Sequence, residues 1–238
     1  PDGPEAYALA KATTSSGEAI CVVGSDDAGV KYGCFELAEQ IEYLKEGEDI
    51  SDRLVPKRES PDITIRRLYA FLHNADLERD WYHSEEYWDG YFSMISKSRY
   101  NEFNLIFGHQ TAYLIPIYPH LFDMDDYPDV YVEDLSKEEQ AKNLKMLQFI
   151  SGLAQERGIR FFIGIWQTKA WGEGHILHAQ ESKVCGIDDE MLPGFTRTGI
   201  VKLLQLCPAI GGMQVRLNQE SGLDDQSFFR DVVVGAIK

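Results

Sequence analysis

Residues 136–166 read SKEEQAKNLKMLQFISGLAQERGIRFFIGIW, and the order of signals in this stretch decides the fold class. Ser136 and Glu139 stand at capping-box spacing, and Leu144, Leu147, Ile150 and Ala154 recur at helical intervals. Arg157-Gly158 then supplies a basic last turn and a C′ glycine. The chain passes at once into Arg160 to Trp166, an almost unbroken apolar run of the kind expected when both faces of a strand are covered. A capped amphipathic helix feeding a doubly covered strand is one step of a β/α repeat.

The same alternation extends in both directions. Upstream, a strand is expected at about Ile65 to Phe71. A helix begins near Ser84 with Trp88, Tyr91, Phe92 and Ile95 on one stripe, and a second strand spans Glu102 to Phe107. Downstream, a long insertion from Thr168 to Phe195 precedes a helix through Ile200, Leu203 and Leu204 that ends before Pro208. A fourth strand is expected at Met213 to Leu217, and a last helix starts near Asp224-Asp225 with Phe228, Phe229, Val232, Val233 and Ala236 on one face. Four strand-helix units predict a parallel sheet with crossover helices: an α/β protein containing a partial TIM (β/α) barrel, residues 61–238.

Residues 1–60 read differently and form a small α/β domain with its linker. Ala19 to Val23 is a short β-branched strand, Gly24 to Gly29 a turn, and Val30, Cys34, Leu37, Ala38 and Ile41 recur at helical spacing. Residues 45–62 are polar, carry Pro56 and Pro61, and read as the connection, with the boundary near residue 60.

Composition limits the partners. The 238 residues carry 23 Lys+Arg against 39 Asp+Glu, a net charge of −16, with 44% hydrophobic and 12% aromatic residues. Such a chain can bury a sizeable core, and its charge disfavours nucleic acid and anionic membranes. No apolar run approaches the ~20 residues of a membrane span, and residues 1–20 show no basic region leading into an apolar one. Cys21, Cys34, Cys185 and Cys207 form no CxxC pair, so buried free thiols are expected rather than disulfides or zinc. Asp123, Asp125 and Asp126 lack the glycine and ligand spacing of a calcium loop; no metal and no cofactor is expected.

In a β/α barrel the ligand groups gather where each strand ends, because side chains there converge on one open face. The strand ends offer His73, Asn74 and Asp76; His109 and Gln110; Trp166 (and Gln167); then Arg216, Asn218 and Glu220. Amide, imidazole, carboxylate and aromatic groups without a phosphate-cradling glycine loop suit a polyhydroxylated ligand whose ring stacks on Trp166, that is, a carbohydrate substrate. The 113–129 stretch is expected as a long loop over the barrel mouth.

Val23-Gly24-Ser25-Asp26-Asp27-Ala28-Gly29-Val30-Lys31-Tyr32-Gly33, followed by Phe35-Glu36-Leu37, resembles the small α/β domain that precedes the catalytic barrel in β-hexosaminidases and microbial α-glucuronidases. Arg66-Arg67, Arg99-Tyr100-Asn101 and Arg157-Gly158-Ile159, each entering a strand, resemble the barrel of that superfamily. The resemblance implies a glycoside hydrolase whose acid/base carboxylate lies at the end of the fourth strand, which is Glu220. With the strand-end chemistry above, the expected sugar-binding residues are His73, Asn74, His109, Gln110, Trp166, Arg216 and Asn218. The sequence departs from the hexosaminidases in carrying Asn218-Gln219-Glu220 where they have an adjacent Asp-Glu pair, so Asp76 is the in-chain candidate for the second carboxylate.

An eight-unit barrel needs about 250 residues, and 238 − 60 = 178 follow the boundary. The expectation is therefore the first half of a barrel from a longer polypeptide, or a homodimer if the four units are all there is. Two other functions fit parts of the pattern: a non-catalytic carbohydrate-binding or scaffold protein that has lost a carboxylate, and a metal-dependent sugar isomerase using His73, His109 and Glu220. The glycosidase expectation favours a bacterial periplasmic or secreted location over the cytoplasm.

Overall fold

The computed structural model describes residues 1–72, 75–107, 118–165, 184–188, 190–215 and 226–238, and the chain divides into two units. The first is Pro1–Arg66 with Lys97–Arg99; the second is Arg67–Ser96 with Tyr100–Lys238.

The first unit is a three-stranded antiparallel sheet with one long helix. A hairpin joins β1 (Tyr7–Thr14) to β2 (Gly17–Gly24), registered from Tyr7↔Gly24 to Thr14↔Gly17, and β3 (Lys57–Glu59) pairs with the other side of β1. After β2 the chain turns into α1 (Asp27–Glu42). Asp26 caps that helix by accepting from the Gly29 N–H at 2.8 Å, while its second carboxylate oxygen accepts from the Glu5 N–H at 2.8 Å. Ser25 binds both ways to Ala6, its N–H donating to the carbonyl at 2.9 Å and its Oγ accepting from the N–H at 3.0 Å. The turn is so close that a Cβ at Gly24 would lie 2.2 Å from the Val30 nitrogen, and one at Gly29 would lie 2.2 Å from the Ala6 carbonyl oxygen. The G-S-D-x-x-G signature is thus a packing device: two glycines admit backbone contact, and Ser25 and Asp26 bind what has been brought near. A short helix α2 (Ile50–Arg53), capped by Asp49, precedes β3.

The structure adds two features to the reading of this unit. The strand β1 gives little period-two signal in the sequence, because Ala alternates with Tyr7 and Leu9 over its first half and with Lys11 and Thr13 over its second. The apolar stripe of α1 is not its buried face: Val30 and Ile41 are 42% and 48% exposed and Cys34 is exposed, while Gly29, Tyr32, Gly33 and Glu36 are buried. Close approach decides the orientation, since a Cβ at Gly33 would meet Val22 Cγ1 at 2.5 Å. The helix presents its smallest residues to the sheet and carries an acid inward.

The second unit contains four parallel strands in the order β4 (Arg67–Leu72), β5 (Glu102–Phe107), β7 (Arg160–Ile165), β9 (Ile210–Val215). The two-residue strands β6 (Tyr131–Val132) and β8 (Val184–Cys185) form a separate antiparallel pair. The crossovers include α3 (Ala75–Tyr82), α4 (Glu85–Lys97), α5 (Lys137–Glu156) and α6 (Leu192–Leu206). The end is helical: α7 (Gln226–Phe228), a π-helical turn Phe229–Val233 and α8 (Val234–Ile237). This is the partial α/β barrel, with a small α/β unit, that the sequence predicts.

One face of the sheet meets the helices. Phe103, Leu105, Phe107, Phe161 and Ile163 alternate onto it and pack with Trp88, Phe92, Ile95, Leu147, Ile150, Phe195, Ile200 and Leu203, all fully buried. Trp88 donates its indole N–H to the Tyr82 carbonyl at 2.8 Å, so its large ring is buried with its polar atom satisfied. Leu121, Phe122 and Met124 are buried in the same core, so the described part of the 113–129 loop packs there.

The helix α5 has the cap its sequence announces: Ser136 Oγ accepts from the Glu139 N–H, and the Glu139 carboxylate accepts from the Ser136 N–H, both at 3.2 Å. Ser136→Ala is expected to lower stability by about 1 kcal/mol, measurable as a shift of the urea midpoint at constant slope. Two boundaries differ from expectation. The helix α3 precedes the one predicted from Ser84, and β9 begins three residues earlier than Met213. Gly211 and Gly212 are strand positions crossed by side chains of β7: a Cβ at 211 would meet Arg160 Cγ at 2.7 Å, and one at 212 would meet Phe162 Cε1 at 2.3 Å. Among the cysteines, which are all free, only Cys207 is buried. Burial pushes its thiol up to about 12.

Candidate active site

The strand ends are level. Leu72 pairs with Phe107, Phe107 with Ile165, and Ile165 with Val215, so all four parallel strands finish at one edge. Each predicted site residue follows one of these ends in the sequence. His73 and Asn74 come directly after β4, His109 and Gln110 after β5, Trp166 (then Gln167) after β7, and Arg216, Asn218 and Glu220 after β9. These residues lie outside the described set. Asp76 falls in the first turn of α3, with its side chain also outside that set. The structure brings the four points of departure together; the side chains' mutual distances are not part of what it describes.

Beneath that edge the second face of the sheet is built in layers. At the N-terminal end, Glu102 is 1% exposed and accepts from Arg67 Nε at 2.7 Å, and it is paired with both Arg67 and Arg160. The two guanidiniums lie over the Phe162 ring, 4.0 and 5.3 Å from its centroid. Above them, Asn104 is 1% exposed and donates through Nδ2 to Gln214, while its Oδ1 is buried with no hydrogen-bond partner among the described residues. Higher still, Ile106 leans over Gly164, where a Cβ would approach its Cγ1 to 2.7 Å. This face supports the strand ends with an ion layer, an amide layer and an apolar layer. Among the described residues, no group of three or more His, Cys, Asp or Glu is placed to hold a metal ion, and no helix is long and apolar enough to cross a membrane.

This arrangement identifies the type of scaffold. Its structural neighbours are glycoside hydrolases. A GH138 enzyme targeting pectin rhamnogalacturonan II superposes with a TM-score of 0.70 at 18% identity, over 98% of this chain and 27% of that enzyme. A β-N-acetylhexosaminidase superposes with a TM-score of 0.55 at 15% identity, over 99% of this chain and 56% of that one. The glycosidase CpGH84B matches 90% of this chain and 30% of its own length at a TM-score of 0.52 and 15% identity. The chain thus spans between about a quarter and just over half of these neighbours. No protein-family model matches the sequence, and no curated protein matches it.

The first unit holds a polar network that sequence reasoning missed. Glu36, on the buried face of α1, accepts from Lys57 Nζ at 2.7 Å, Arg99 Nη2 at 2.9 Å, Gln40 Nε2 at 3.1 Å and the Tyr7 hydroxyl at 3.2 Å. Glu59 accepts from the same Tyr7 hydroxyl at 2.6 Å and from Arg99 Nη1 at 3.0 Å. Arg99 holds this position at φ 64°, in the left-handed region, a strain offset by its two carboxylate partners. Glu36 and Arg99 both belong to the quoted motifs, but nothing in their spacing shows that they meet.

Burial alone would push the Glu36 carboxyl up, but the hydrogen bonds from Lys57 and Gln40, with the charge of Lys57 and the Arg99 guanidinium, outweigh it and hold the group at about 2. Burial and the bond to Glu59 raise the Tyr7 hydroxyl. Because the folded carboxyl titrates below its unfolded value of 4.5, its contribution is fully present above that pH and is lost as pH falls toward 2. The amount is on the order of 3 kcal/mol. Glu36→Gln is therefore expected to be less stable at pH 7 and to lose the acid-dependent part of the unfolding curve between these values. An unchanged acid profile in the variant would remove Glu36 from that role.

Proposed function

We propose that the protein is a glycoside hydrolase that cleaves O-glycosidic bonds of an oligosaccharide or glycoside by carboxylate acid/base catalysis. The observation that carries the proposal is the level edge of four parallel strands, each followed in sequence by carbohydrate-type side chains, on a scaffold whose neighbours are glycosidases. In this reading Glu220 protonates the departing glycosidic oxygen. Arg216 and Asn218 hold sugar hydroxyls or a substrate carboxylate, His73, Asn74, His109 and Gln110 complete the hydrogen bonding, and Trp166 stacks on the sugar ring. Asp76 is the proposed second carboxylate. A separation of roughly 5–5.5 Å from Glu220 would give retention, and roughly 6.5–9.5 Å inversion.

One sequence feature favours a second reading. The chain carries Asn218-Gln219-Glu220 where the hexosaminidases it resembles have an adjacent Asp-Glu pair, so no Asp precedes Glu220, and a chain that keeps the sugar cleft without turnover is the alternative. The natural full-length polypeptide, assayed on aryl hexosides, N-acetylhexosaminides and uronides, is expected to turn over at least one of them. Saturable sugar binding with no hydrolysis across that panel would establish the binding protein instead.

A further inference from the structure

The first unit carries a groove that the candidate active site does not use. Two cavities, of about 560 and 530 Å³, adjoin along the C-terminal half of α1 and share Glu36, Glu39, Tyr43 and Lys57 as lining. Both volumes fall in the range of ligand sites. Lys57 and Arg99 both donate to Glu36, which fixes that part of the wall. Gln40 pins the chain ahead of β3 by two bonds to Val55, from its Nε2 to the carbonyl at 3.0 Å and from the Val55 N–H to its Oε1 at 2.9 Å. The rim differs. Tyr43 is 79% exposed, and Glu39, Glu42, Lys97 and Ser98 are exposed beside it. Among the described residues none of these five side chains has a hydrogen bond or an ion pair. Two carboxylates and an ammonium therefore line one cavity without satisfying each other.

We propose that this groove binds a neutral glycan chain, with Tyr43 as the stacking ring, at a site separate from the strand ends. None of the candidate catalytic residues belongs to this unit. The charge decides the class of ligand. Lys57, Lys97 and Arg99 match Glu36, Glu39 and Glu42 in the first cavity, and Lys45, Arg53 and Lys57 match Glu36, Glu39 and Glu48 in the second. Each cavity is neutral on a chain of net charge −16, so the groove itself attracts neither a polyanion nor a polycation. A neutral ligand is then held by hydrogen bonds to donors and acceptors together and by a ring face. Sugar hydroxyls bond carboxylate and ammonium alike, and the C–H face of a sugar covers an exposed aromatic. An unstructured peptide fits less well: its side-chain anchors need desolvated apolar pockets, and the aliphatic lining is confined to Ala38, Leu44 and Val55. Two adjoining cavities suit successive sugars of a chain rather than a monosaccharide. The choice of a glycan rests on the glycosidase reading above.

Affinity electrophoresis of the natural full-length polypeptide tests this, in native gels that hold xyloglucan, galactomannan, arabinoxylan, polygalacturonate or gelatin. Wild type is expected to be retarded by at least one of the neutral polysaccharides. Tyr43→Ala should weaken that retardation roughly fivefold or more, and Glu39→Ala, at another position shared by the two cavities, should weaken it in the same gel. Both variants should keep the wild-type melting temperature, which shows that they fold. They should also keep the wild-type kcat/KM on aryl glycosides, which are too short to need the groove.

The two readings fail separately. Retardation that depends on Tyr43, in a wild type that hydrolyses no aryl glycoside, would keep the groove and remove the glycosidase. Retardation equal in wild type and both variants, or absent from every neutral gel, overturns the proposal even where aryl glycosides turn over. Retardation by polygalacturonate alone or by gelatin alone would make the groove an ionic or a peptide site, and overturns it as well.

Discussion

Gly29→Ala is expected to disrupt the small unit, with a loss of about 3 kcal/mol or more. The added methyl would stand 2.2 Å from the Ala6 carbonyl oxygen, 3.0 Å from the Ala6 carbonyl carbon and 3.2 Å from the Gly24 Cα. All three are backbone atoms, so no side-chain rotation relieves the contact. The start of α1 would have to move away from the residues leading into β1. That movement breaks the bonds Ser25 N–H to Ala6 O, Ala6 N–H to Ser25 Oγ and Glu5 N–H to Asp26, and each donor or acceptor left unsatisfied adds to the cost. Hydrogen exchange locates the damage: the β1 and β2 amides should lose protection in the variant. Gly90→Ala in α4 and Gly152→Ala in α5 are the opposite case. A Cβ there meets nothing within 4 Å, so each should gain roughly 0.5–1 kcal/mol from helix propensity. If Gly29→Ala also left stability unchanged, the close turn after β2 would not be present in solution.

The β/α repeat is legible where local chemistry and tertiary role coincide. The capping box, the apolar stripe and the C′ glycine of α5 all serve the helix that forms, and Glu102 to Phe107 is a strand residue for residue. Legibility fails where packing depends on small residues rather than large ones. The apolar positions of α1 suggest one face, but Gly29 and Gly33 allow the helix to sit on another, which leaves Val30 and Ile41 in solvent. Gly211 and Gly212 carry no strand signal of their own, because the side chains that need the space, Arg160 and Phe162, are on the neighbouring strand. The β1 hairpin is silent for a third reason: an Ala-rich strand with one buried face gives almost no period-two contrast.

The candidate site divides in the same way. The four strand ends are legible because the β/α repeat itself places them, and the structure shows them level. The Arg67–Glu102–Arg160 layer and the Asn104–Gln214 pair are not, since each joins residues 35 to 110 positions apart. No spacing rule connects them.

Glu220→Gln is the variant with the largest expected effect on activity. Glutamine keeps the shape and the hydrogen-bonding reach of the side chain but has no acidic proton to give to the departing oxygen. General acid catalysis contributes about 10²–10⁴-fold, so kcat/KM should fall by about that factor, while the melting temperature stays near that of the wild type. The loss should also depend on the leaving group. A glycoside of a strongly acidic phenol departs as its anion with little need of a proton, so the variant should retain much of its rate on that substrate. An alkyl or sugar leaving group should suffer the full loss.

The decisive measurement is therefore kcat/KM of full-length wild type and Glu220→Gln, which reports the leaving-group step alone, on a pair of glycosides that share the sugar and differ in leaving-group acidity. The proposed role predicts a large fall on the poor leaving group and a much smaller one on the good leaving group. Equal rates for variant and wild type on both substrates would contradict it.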